Sequence, residues 1–398
     1  MNNIKKDFPF FIHHPKLVYL DNAATTQKPQ AVIDTISHFY AYENAPVHRG
    51  IYQLAEKATT HYEKVREQVA AHLNAQDSSE IIFTKGTTES INLVAQAWAA
   101  HYLQAGDEII LSQLEHHANM VPWLYLAQQK KLVIKWIPVV NGLLDSVAAQ
   151  QLFSTQTKLL AISNNSNIFG YELDIFPLIA QAKKVGARIL IDAAQSVSRS
   201  TIDVQKLGCD FLAFSGHKML GPTGVGVLYI NKAAHDQIYP YQLGGSMVYE
   251  VSFEKAQWRP MPYRLEAGTP PIAQVIGLGA ALTYVRNTLD FQQLRLYEAA
   301  LCAQFLEGIK QIPCIQIIGN ENTLKKSGHS VSFTVEGMHP HDVAAFLDNY
   351  GICVRAGHHC AQPMHQLLQL TGSVRASFYC YTTHEDIEQL ITVLNKLT

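Results

Sequence analysis

A group of reactive side chains stands near the carboxyl end of this 398-residue chain, in the stretch RAGHHCAQP at residues 355–363. Within six positions the stretch supplies an arginine, a glycine, two adjacent histidines and a cysteine, Cys360. A cysteine thiolate is a nucleophile, and cysteine and histidine are also zinc ligands. Residue types alone therefore allow Cys360 to be a nucleophile, a metal ligand or a disulfide partner.

A second pair of candidate residues, Asp192 and Lys218, lies far upstream. Asp192 directly follows an apolar run, and Lys218 stands in a polar island with glycines at positions 216, 221, 224 and 226 around it. Taken singly, helix capping explains the aspartate and a surface turn explains the lysine. Together, an acid and a lysine at neighbouring strand ends are what pyridoxal phosphate requires. The lysine amine forms the Schiff base, and the carboxylate keeps the pyridine nitrogen protonated.

Three further stretches supply the other contacts that such a cofactor needs. TKGTTES at residues 84–90 leads into a helix, and backbone N–H groups at a helix start bind phosphate. LEHHANMVPW at residues 114–123 places His116 or His117 where an imidazole can stack on a flat ring. Gln195 is placed to hydrogen-bond a ring hydroxyl. Each piece alone has a structural explanation, but together they favour a pyridoxal phosphate site.

Seven short apolar runs predict the strands that position these residues. They lie at residues 80–84, 107–112, 132–139, 157–163, 187–192, 209–215 and 224–230. Several are nearly continuous in Val, Ile and Leu, which is typical of parallel strands buried on both faces. The other segments show apolar residues at helical spacing, as in residues 53–73. The apolar stripe of that segment consists of Leu54, Ala58, Tyr62, Val65, Val69 and Leu73. We expect an α/β domain with ligands at the carboxyl ends of the strands.

The texture of the sequence changes after EAGTPP at residues 266–271. A helical stretch over about 272–312 is followed by the strand-like segments IQIIG and SVSFTVEG, a helix near 340–350 and a closing helix. This order predicts a second, smaller α+β domain at the carboxyl end.

The composition limits the classes of function. With 31 basic and 33 acidic residues the formal charge is −2, and no basic block is present, so nucleic acid and anionic membranes are poor partners. The sequence has no apolar run of about 18 residues, and the apolar patch at residues 8–12 is too short for a secretory signal. None of the six cysteines forms a C-x-x-C pair. We therefore expect a reducing, cytoplasmic compartment.

The motifs resemble those of cysteine desulfurases of the Suf-type branch, in the class V aminotransferase group of pyridoxal phosphate enzymes. The matching segments run nearly end to end and are YLDNAATTQKP, VHRGIY, FTKGTTESINLVA, EHHANMVPW, IDAAQS, FSGHKMLGPTGVGVLY, EAGTPP, RAGHHCAQP and RASFYCYTTHED. The resemblance implies the α/β type I fold, with a mostly parallel seven-stranded sheet. It implies an N-terminal arm at residues 1–18 packing with the small domain, a large cofactor-binding domain at 19–271, and a linking helix with the small domain at 272–398.

The resemblance also implies a role for each matched position. Lys218 is the Schiff-base lysine, His116 stacks on the ring and serves in acid–base steps, and Cys360 is the nucleophile. The other residues that it assigns to the cofactor are Asp192, Gln195, Thr87, Thr88, Ser215, His217 and, across a homodimer interface, Thr269. The residues that it assigns to the substrate are Asn167 and Arg375 at the carboxylate and Arg49 and Arg355 near the sulfur.

The activity implied by the resemblance is conversion of L-cysteine to L-alanine, with a persulfide formed on Cys360. The sulfur then passes to an acceptor protein of the SufE-like or SufU-like kind, for iron–sulfur cluster or other sulfur-cofactor assembly. A thiolate needs cationic help, which His358, His359 and Arg355 are placed to give. Selenocysteine lyase and cysteine sulfinate desulfinase activities share nearly the whole site, and CAQP in place of CAMP leans toward the desulfinases.

One segment of the sequence differs from the family pattern, and two other interpretations of the site were weighed against the cofactor. In SNIFGYELD the bulky Phe169 and Tyr171 replace smaller residues of the family, and we expect them to change the substrate pocket or the loop beside it. A zinc site at RAGHHCAQP is the first alternative. We disfavour it because His359 and Cys360 would point apart in an extended backbone. A scaffold without cofactor is disfavoured because every expected cofactor-contacting residue type is present.

Overall fold

A seven-stranded sheet forms the centre of the larger part of the chain in the computed structural model, which describes residues 4–397. The strands are β1 (Val18–Tyr19), β2 (Ile81–Thr84), β3 (Glu108–Ser112), β4 (Val133–Ile137), β5 (Val139–Val140), β6 (Leu143–Leu144), β7 (Thr157–Ser163), β8 (Arg188–Asp192), β9 (Phe211–Ser215), β10 (Gly226–Ile230), β11 (Val248–Val251), β12 (Ala256–Trp258), β13 (Ile315–Ile318), β14 (Ser330–Val335), β15 (Ile352–Cys353), β16 (Arg355–Gly357) and β17 (Ser373–Ser377). The central sheet has the order β2-β10-β9-β8-β7-β3-β4. Its strands are parallel except β10, which is antiparallel to both neighbours.

All seven strands predicted from the sequence belong to this sheet. The sheet carries the site because its parallel strands end together: Ser163 at the end of β7 pairs with Asp192 at the end of β8, and Asp192 pairs with Ala213 of β9. These strands are buried along almost their entire length. The polar side chains at their ends therefore gather at one edge of an apolar sheet, where open α/β folds bind ligands.

Helices cover both faces of the sheet and form most of the remaining chain. They are α1 (Pro9–His13), α2 (Gln30–His38), α3 (Gln53–Leu73), α4 (Thr87–Val94), α5 (Ala100–Tyr102), α6 (Val121–Lys130), α7 (Ser146–Leu152), α8 (Phe176–Lys184), α9 (Val204–Leu207), α10 (Ile272–Thr288), α11 (Phe291–Gly308), α12 (Glu321–Ser327), α13 (Pro340–Asp348), α14 (Gln362–Leu367) and α15 (His384–Leu394). A π-helical segment, Ala95–Ala99, joins α4 to α5. Among residues 4–397, no helix combines the length and the apolar character that a membrane span requires.

Two expectations about the helices need correction. The helix predicted over 53–73 has those bounds, but Leu54 is 39% exposed and Ala55, fully buried, takes its place on the apolar stripe. The long helix predicted over 272–312 is two helices, α10 and α11. The chain breaks there because the Asp290 carboxylate accepts from the backbone N–H groups of Gln292 and Gln293 and caps α11.

A smaller antiparallel sheet, with the order β13-β14-β17-β16, lies in the carboxyl-terminal part. The N-terminal segment contacts this part: the Phe8 ring lies 4.7 Å from that of Tyr381, and Lys5 Nζ lies 3.1 Å from Asp386. The domain bounds at residues 18/19 and 271/272 stay a prediction. Residues 1–3 of the predicted arm lie outside the described residues.

A buried ion pair ties α3 to the EAGTPP segment. Arg66 is 1% exposed, and its guanidinium donates to both carboxylate oxygens of Glu266 at 2.7 and 2.9 Å and to the Ile81 carbonyl at 2.7 Å. Replacing Arg66 by methionine leaves the Glu266 carboxylate buried without its cation. We expect the free energy of unfolding to fall by about 3–5 kcal/mol in urea titrations.

The matched control is Lys57→Met, because Lys57 pairs with Glu43 at 2.6 Å but is half exposed. This control is expected to lose less than about 1 kcal/mol. Equal losses in the two variants would contradict the structural role of Arg66.

Candidate active site

A cavity of about 310 Å³ opens at the carboxyl ends of the central strands. The predicted site residues that line it are Lys218, Asp192, Gln195, His116, Thr87, Thr88, Ser215, His217, Asn167, Arg355, Arg375 and Cys360. Two predicted residues lie elsewhere: Arg49 is exposed in the loop before α3, and Thr269 is exposed beside a different cavity. The volume and the mixed polar lining suit a cofactor of moderate size together with a small substrate.

Asp192 and Lys218 face the cavity from neighbouring strand ends. Burial raises the pKa of Asp192. The hydrogen bond from the Ala194 N–H and the charge of Lys218 oppose this shift. Burial lowers the pKa of Lys218 to about 8, although the charge of Asp192 opposes the shift. A deeply buried carboxylate is stable in its charged form only with a cationic partner, and a lysine with this pKa is partly a free amine near neutrality. Both properties fit the predicted pyridinium and Schiff-base roles.

Hydroxyl groups and helix-start amides form a polar corner of the cavity. Ser215 Oγ accepts the Thr87 N–H at 2.9 Å and lies 2.8 Å from Thr87 Oγ1 at the start of α4. The corner is tight because a Cβ built on Gly226 would lie 2.3 Å from Gly86 Cα. Burial lowers the pKa of His217 to about 4, so its ring is neutral there. The donor set fits a phosphate group without needing a net positive charge.

Gln195 and His116 complete the surroundings of a flat ring. Gln195 Nε2 donates to the Ala23 carbonyl at 2.9 Å, and the buried Oε1 has no partner among the described residues. His116 Nδ1 accepts the Ala118 N–H at 3.0 Å, which leaves the ring proton on Nε2. Burial, followed by the charge of Lys218, lowers the pKa of His116 to about 3. His116 is therefore a neutral ring that donates through Nε2.

An aspartate that was not predicted organises the two arginines. Asp21 accepts from Arg355 at 2.8 and 3.3 Å, and its carboxylate lies 3.6 Å from Arg375 Nη2. Arg375 also donates to the Asn167 carbonyl at 2.9 Å, while its buried Nε has no partner among the described residues. An open donor on a buried guanidinium fits the binding of a carboxylate. Asp21 lies in the quoted motif YLDNAATTQKP, but its pairing across the chain has no local pattern.

The loop that carries Cys360 is held from both sides. The Cys360 carbonyl accepts the His117 N–H at 2.7 Å, His117 Nε2 accepts the Gln362 N–H at 3.1 Å, and Asn167 Nδ2 donates to the His359 carbonyl at 2.7 Å. The extended backbone expected at His359 and Cys360 is wrong. Both residues have left-handed backbone, with φ of 51° and 56°, and both residues line the cavity.

The cationic help predicted from the histidines does not come from His359. His359 is 8% exposed, and burial, followed by the charge of Arg375, lowers its pKa to about 2. His358 does not line the cavity and packs edge-on against His365. The Cys360 thiolate is instead among the groups that raise the pKa of Lys218 and of Arg375, although burial lowers both. Lys218 and Arg375 are therefore the basic side chains that interact electrostatically with Cys360.

The bulky Phe169 and Tyr171 do not line the cavity, and of the two expected effects their contacts concern the loop beside the pocket. Both are buried with their rings stacked 6.0 Å apart. The Tyr171 hydroxyl donates to the Gly142 carbonyl at 2.6 Å, and the Tyr171 carbonyl accepts the Ser166 N–H at 3.0 Å. They brace the loop that carries Asn167 from the side away from the cavity.

The zinc alternative has no ligand set in the described part of the chain. Among residues 4–397, no three His, Cys, Asp or Glu side chains are grouped so that they can hold a metal ion.

A buried carboxylate, Glu115, lies beside His116 and was not predicted. It is fully buried and accepts from the Ser112 hydroxyl at 2.5 Å, from Asn119 Nδ2 at 2.7 Å, and from the N–H and hydroxyl of Ser163. Glu115 therefore joins the ends of β3 and β7, next to the ring that is predicted to stack on the cofactor. Burial raises its pKa to about 7 despite these donors.

This pKa makes the stability contributed by Glu115 depend on pH. Between about pH 4.5 and 7 the folded protein retains a proton that the unfolded chain releases, so the contribution decreases as pH rises through that window. Relative to Glu115→Gln, the unfolding free energy of the wild type is expected to fall by at most about 1.4 kcal/mol per pH unit. Denaturant titrations at several pH values measure the difference. A difference that stays constant or grows with pH would contradict the shift.

Comparison with known proteins places the chain in a family. The sequence model of the family described as aminotransferase class-V matches residues 18–390. The chain belongs to the aminotransferase class-V family, as the fold and the Lys218–Asp192 pair indicate. Within that family it is a homologue of the cysteine desulfurases. A cysteine desulfurase from Salmonella gallinarum is 42% identical over 402 residues, which cover 100% of this chain and 98% of the relative.

Solved structures agree with this assignment. The apo structure of a cysteine desulfurase from Thermococcus onnurineus NA1 has a TM-score of 0.95 at 38% identity, covering 99% of this chain and 97% of that chain. The cysteine desulfurase CsdA (S-sulfonic acid) from Escherichia coli has a TM-score of 0.91 at 39% identity, with the same coverage. The predicted α/β fold with a mostly parallel seven-stranded sheet is confirmed.

Proposed function

We propose that this protein is a pyridoxal phosphate-dependent cysteine desulfurase that converts L-cysteine to L-alanine and takes up the sulfur as a persulfide on Cys360. The observation that carries the proposal is the single cavity onto which Lys218, Asp192, Arg375 and Cys360 all open. A transaminase needs Lys218, Asp192 and Arg375, but its reaction does not require a cysteine that lines the cavity. The names of the relatives support the same activity.

The residues of the cavity fit the cofactor. Lys218 would carry it, Asp192 would pair with the ring nitrogen, Gln195 with the ring hydroxyl, and His116 would stack on the ring. The phosphate would be held by Thr87, Thr88, Ser215 and His217, with Thr269 reaching it from a partner subunit. When bound, pyridoxal phosphate supplies an electron sink that makes the α-proton acidic and weakens the bond between the β-carbon and sulfur of the substrate.

Arg375 is the residue that we assign to the substrate carboxylate. Its Nε is unpartnered among the described residues, one of its Nη groups donates to the Asn167 carbonyl, and Arg355 also contacts Asp21. A carboxylate bound by Arg375 would place the substrate in the same cavity that Cys360 lines.

Lys218 and Cys360 carry the two chemical steps. Lys218, whose pKa of about 8 leaves part of the population as free amine, removes the α-proton. The Cys360 thiolate attacks the substrate sulfur, the carbon–sulfur bond breaks, and the electron pair stays with the former β-carbon until it is protonated. Cys360 is exposed, whereas Cys209, Cys302 and Cys380 are buried. The persulfide is therefore accessible to an acceptor.

We also assign a homodimer, because Thr269 and Arg49 complete the site only if a second copy presents them. Both residues are exposed and outside the cavity of their own chain. Ile51 and Tyr52, next to Arg49, are 95% and 51% exposed, and such apolar surface favours a protein contact. A monomer in solution with full activity would contradict this assignment.

The Suf-type branch, a cytoplasmic location and an acceptor of the SufE-like or SufU-like kind complete the proposal. They are supported by the motif resemblance and by the exposed Cys360. The acceptor presents its own thiolate to the persulfide, so its approach requires an open cavity mouth.

A second candidate function is desulfination of cysteine sulfinate or selenocysteine lysis, favoured by the CAQP segment. The test is alanine release from cysteine, selenocysteine and cysteine sulfinate, each with and without candidate acceptors. Stimulation by an acceptor only with cysteine supports the desulfurase. Faster alanine release from either alternative substrate, with no acceptor effect, would favour the second function.

A further inference from the structure

The turn that carries Lys218 is bonded to a threonine from the N-terminal part of the chain, Thr26, which the steps above do not use. The Leu220 N–H, two residues after the lysine, donates to Thr26 Oγ1 at 2.9 Å. Thr26 Oγ1 itself donates to the His217 carbonyl, one residue before the lysine, at 3.1 Å. The Thr26 N–H donates to the same carbonyl at 3.1 Å. One threonine therefore holds the backbone on both sides of Lys218.

The proton of the Thr26 hydroxyl has one assignment in this bridge. A backbone N–H only donates and a carbonyl oxygen only accepts, so the hydroxyl accepts from Leu220 and gives its single proton to His217. Thr26 is 2% exposed, and Leu220 is fully buried. Because bulk water does not reach this N–H, removal of the hydroxyl leaves a buried donor unsatisfied unless the turn moves.

Leu220 is the residue of the turn that most needs such a contact. Its backbone is left-handed, with φ of 64°, a conformation that is uncommon for residues other than glycine. Backbone of this kind persists where the surrounding structure holds it, and it is concentrated at functional sites. The turn is closed from within by the Gly216 carbonyl, which accepts the N–H groups of Met219 and Gly221 at 3.0 Å each. The Leu220 N–H lies between these two and is held from outside, by Thr26.

The backbone of this turn determines how far the Lys218 amine reaches. A lysine amine is carried on a flexible four-carbon stem, so the fixed point of the side chain is its own backbone. The same amine has to reach the cofactor and, once free, the α-proton of the substrate. A displacement of about 1 Å in a reacting group can cost about a hundredfold in rate.

We propose that Thr26 is a positioning residue for Lys218: its hydroxyl fixes the turn at residues 216–220, and the turn sets where the amine lies when it takes the α-proton. The inference rests on the proposed function, in which Lys218 is the base. In that step the Cα–H bond of the substrate breaks, the electron pair stays on carbon, and the proton moves to Lys218 Nζ. Thr26 exchanges no proton with the substrate and acts through the backbone alone.

The test compares Thr26→Val, Thr26→Ser and a matched control, Thr157→Val, as holoenzymes with equal cofactor content. Valine keeps the shape of threonine without its hydroxyl, and serine keeps the hydroxyl. Thr157 is a fully buried threonine at the start of β7 that does not line the cavity. Its hydroxyl forms the same kind of bridge, because Oγ1 accepts the Ser154 N–H at 3.0 Å and donates to Glu108 at 2.9 Å.

The readout is exchange of the α-deuteron of deuterated L-alanine with solvent protons, followed by NMR. This exchange requires the cofactor and the base, but it requires neither Cys360 nor a sulfur atom. Alanine keeps the carboxylate that we assign to Arg375, and all the variants leave Arg375 in place. Urea titrations of the same proteins measure the loss of stability separately.

We expect Thr26→Val to lower kcat for exchange about ten- to a hundredfold and to change KM for alanine less than about twofold, because the amine is displaced while the carboxylate contact is kept. Thr26→Ser should restore most of the rate. Thr157→Val should exchange at the wild-type rate, although it also loses a buried hydroxyl.

Equal exchange rates in Thr26→Val and Thr157→Val overturn the proposal, and so does a loss in Thr26→Ser as large as that in Thr26→Val. If Thr26→Val does not fold, Thr26→Ala decides by the same comparison with Thr157→Val. A wild type that exchanges the α-deuteron of alanine but releases no alanine from cysteine refutes the proposed function and leaves the comparison of exchange rates intact.

Discussion

Lys218→Ala is expected to lower alanine release from L-cysteine by at least about a thousandfold, because the variant has neither the Schiff-base amine nor the base for the α-proton. The variant is also expected to show no covalent label after borohydride reduction of the holoenzyme. The measurement combines a single-turnover alanine assay with mass spectrometry of the reduced protein.

The matched control for this prediction is Lys28→Ala. Lys28 is partly buried, and burial lowers its pKa to about 8 as well, but its amine donates to the His217 carbonyl at 3.1 Å and the residue does not line the cavity. The control should retain the label at Lys218. A label that survives in Lys218→Ala, or is lost only in Lys28→Ala, would show that the Schiff-base lysine has been assigned to the wrong residue.

Cys360→Ser should retain the cofactor and its absorbance but form no persulfide, with alanine release from cysteine reduced at least about a hundredfold. The physical reason is that a serine hydroxyl does not ionise near neutrality and attacks sulfur poorly. Cys353→Ser is the control, since Cys353 is half-buried and burial raises its pKa. Undiminished alanine production from cysteine by Cys360→Ser would contradict the assignment of Cys360 as the nucleophile.

The same variant separates the two candidate functions. Release of sulfinate does not require a protein thiol to take up sulfur, so Cys360→Ser should keep alanine release from cysteine sulfinate. Equal losses on both substrates would instead point to a structural defect in the loop that carries the cysteine.

The sheet was predictable because its strands are buried on both faces, so each strand is a short and nearly continuous run of apolar residues in the sequence. The residues at their ends, such as Asp192 and Ser215, were predictable for the same reason, since a polar residue directly after a buried strand marks the edge of a parallel sheet. The break before α11 was missed because the apolar spacing continues across it and only the capping by Asp290 ends α10.

Long-range contacts explain what could not be predicted at the site. The left-handed backbone at His359 and Cys360 is fixed by bonds from His117 and Asn167, which are distant in sequence. The pairing of Asp21 with Arg355 joins opposite ends of the chain. Local patterns carry no information about such contacts, so the sequence indicated a cationic role for His359 that its burial excludes.

The most direct test of the account is the mass of the Cys360 peptide after the wild-type holoenzyme has reacted with one equivalent of L-cysteine and no acceptor. We expect one added sulfur atom on that peptide, removable by a reductant and matched by an equal amount of alanine. Alanine released in that amount, with Cys360 unmodified and the sulfur free in solution, would contradict the central claim that Cys360 receives the sulfur.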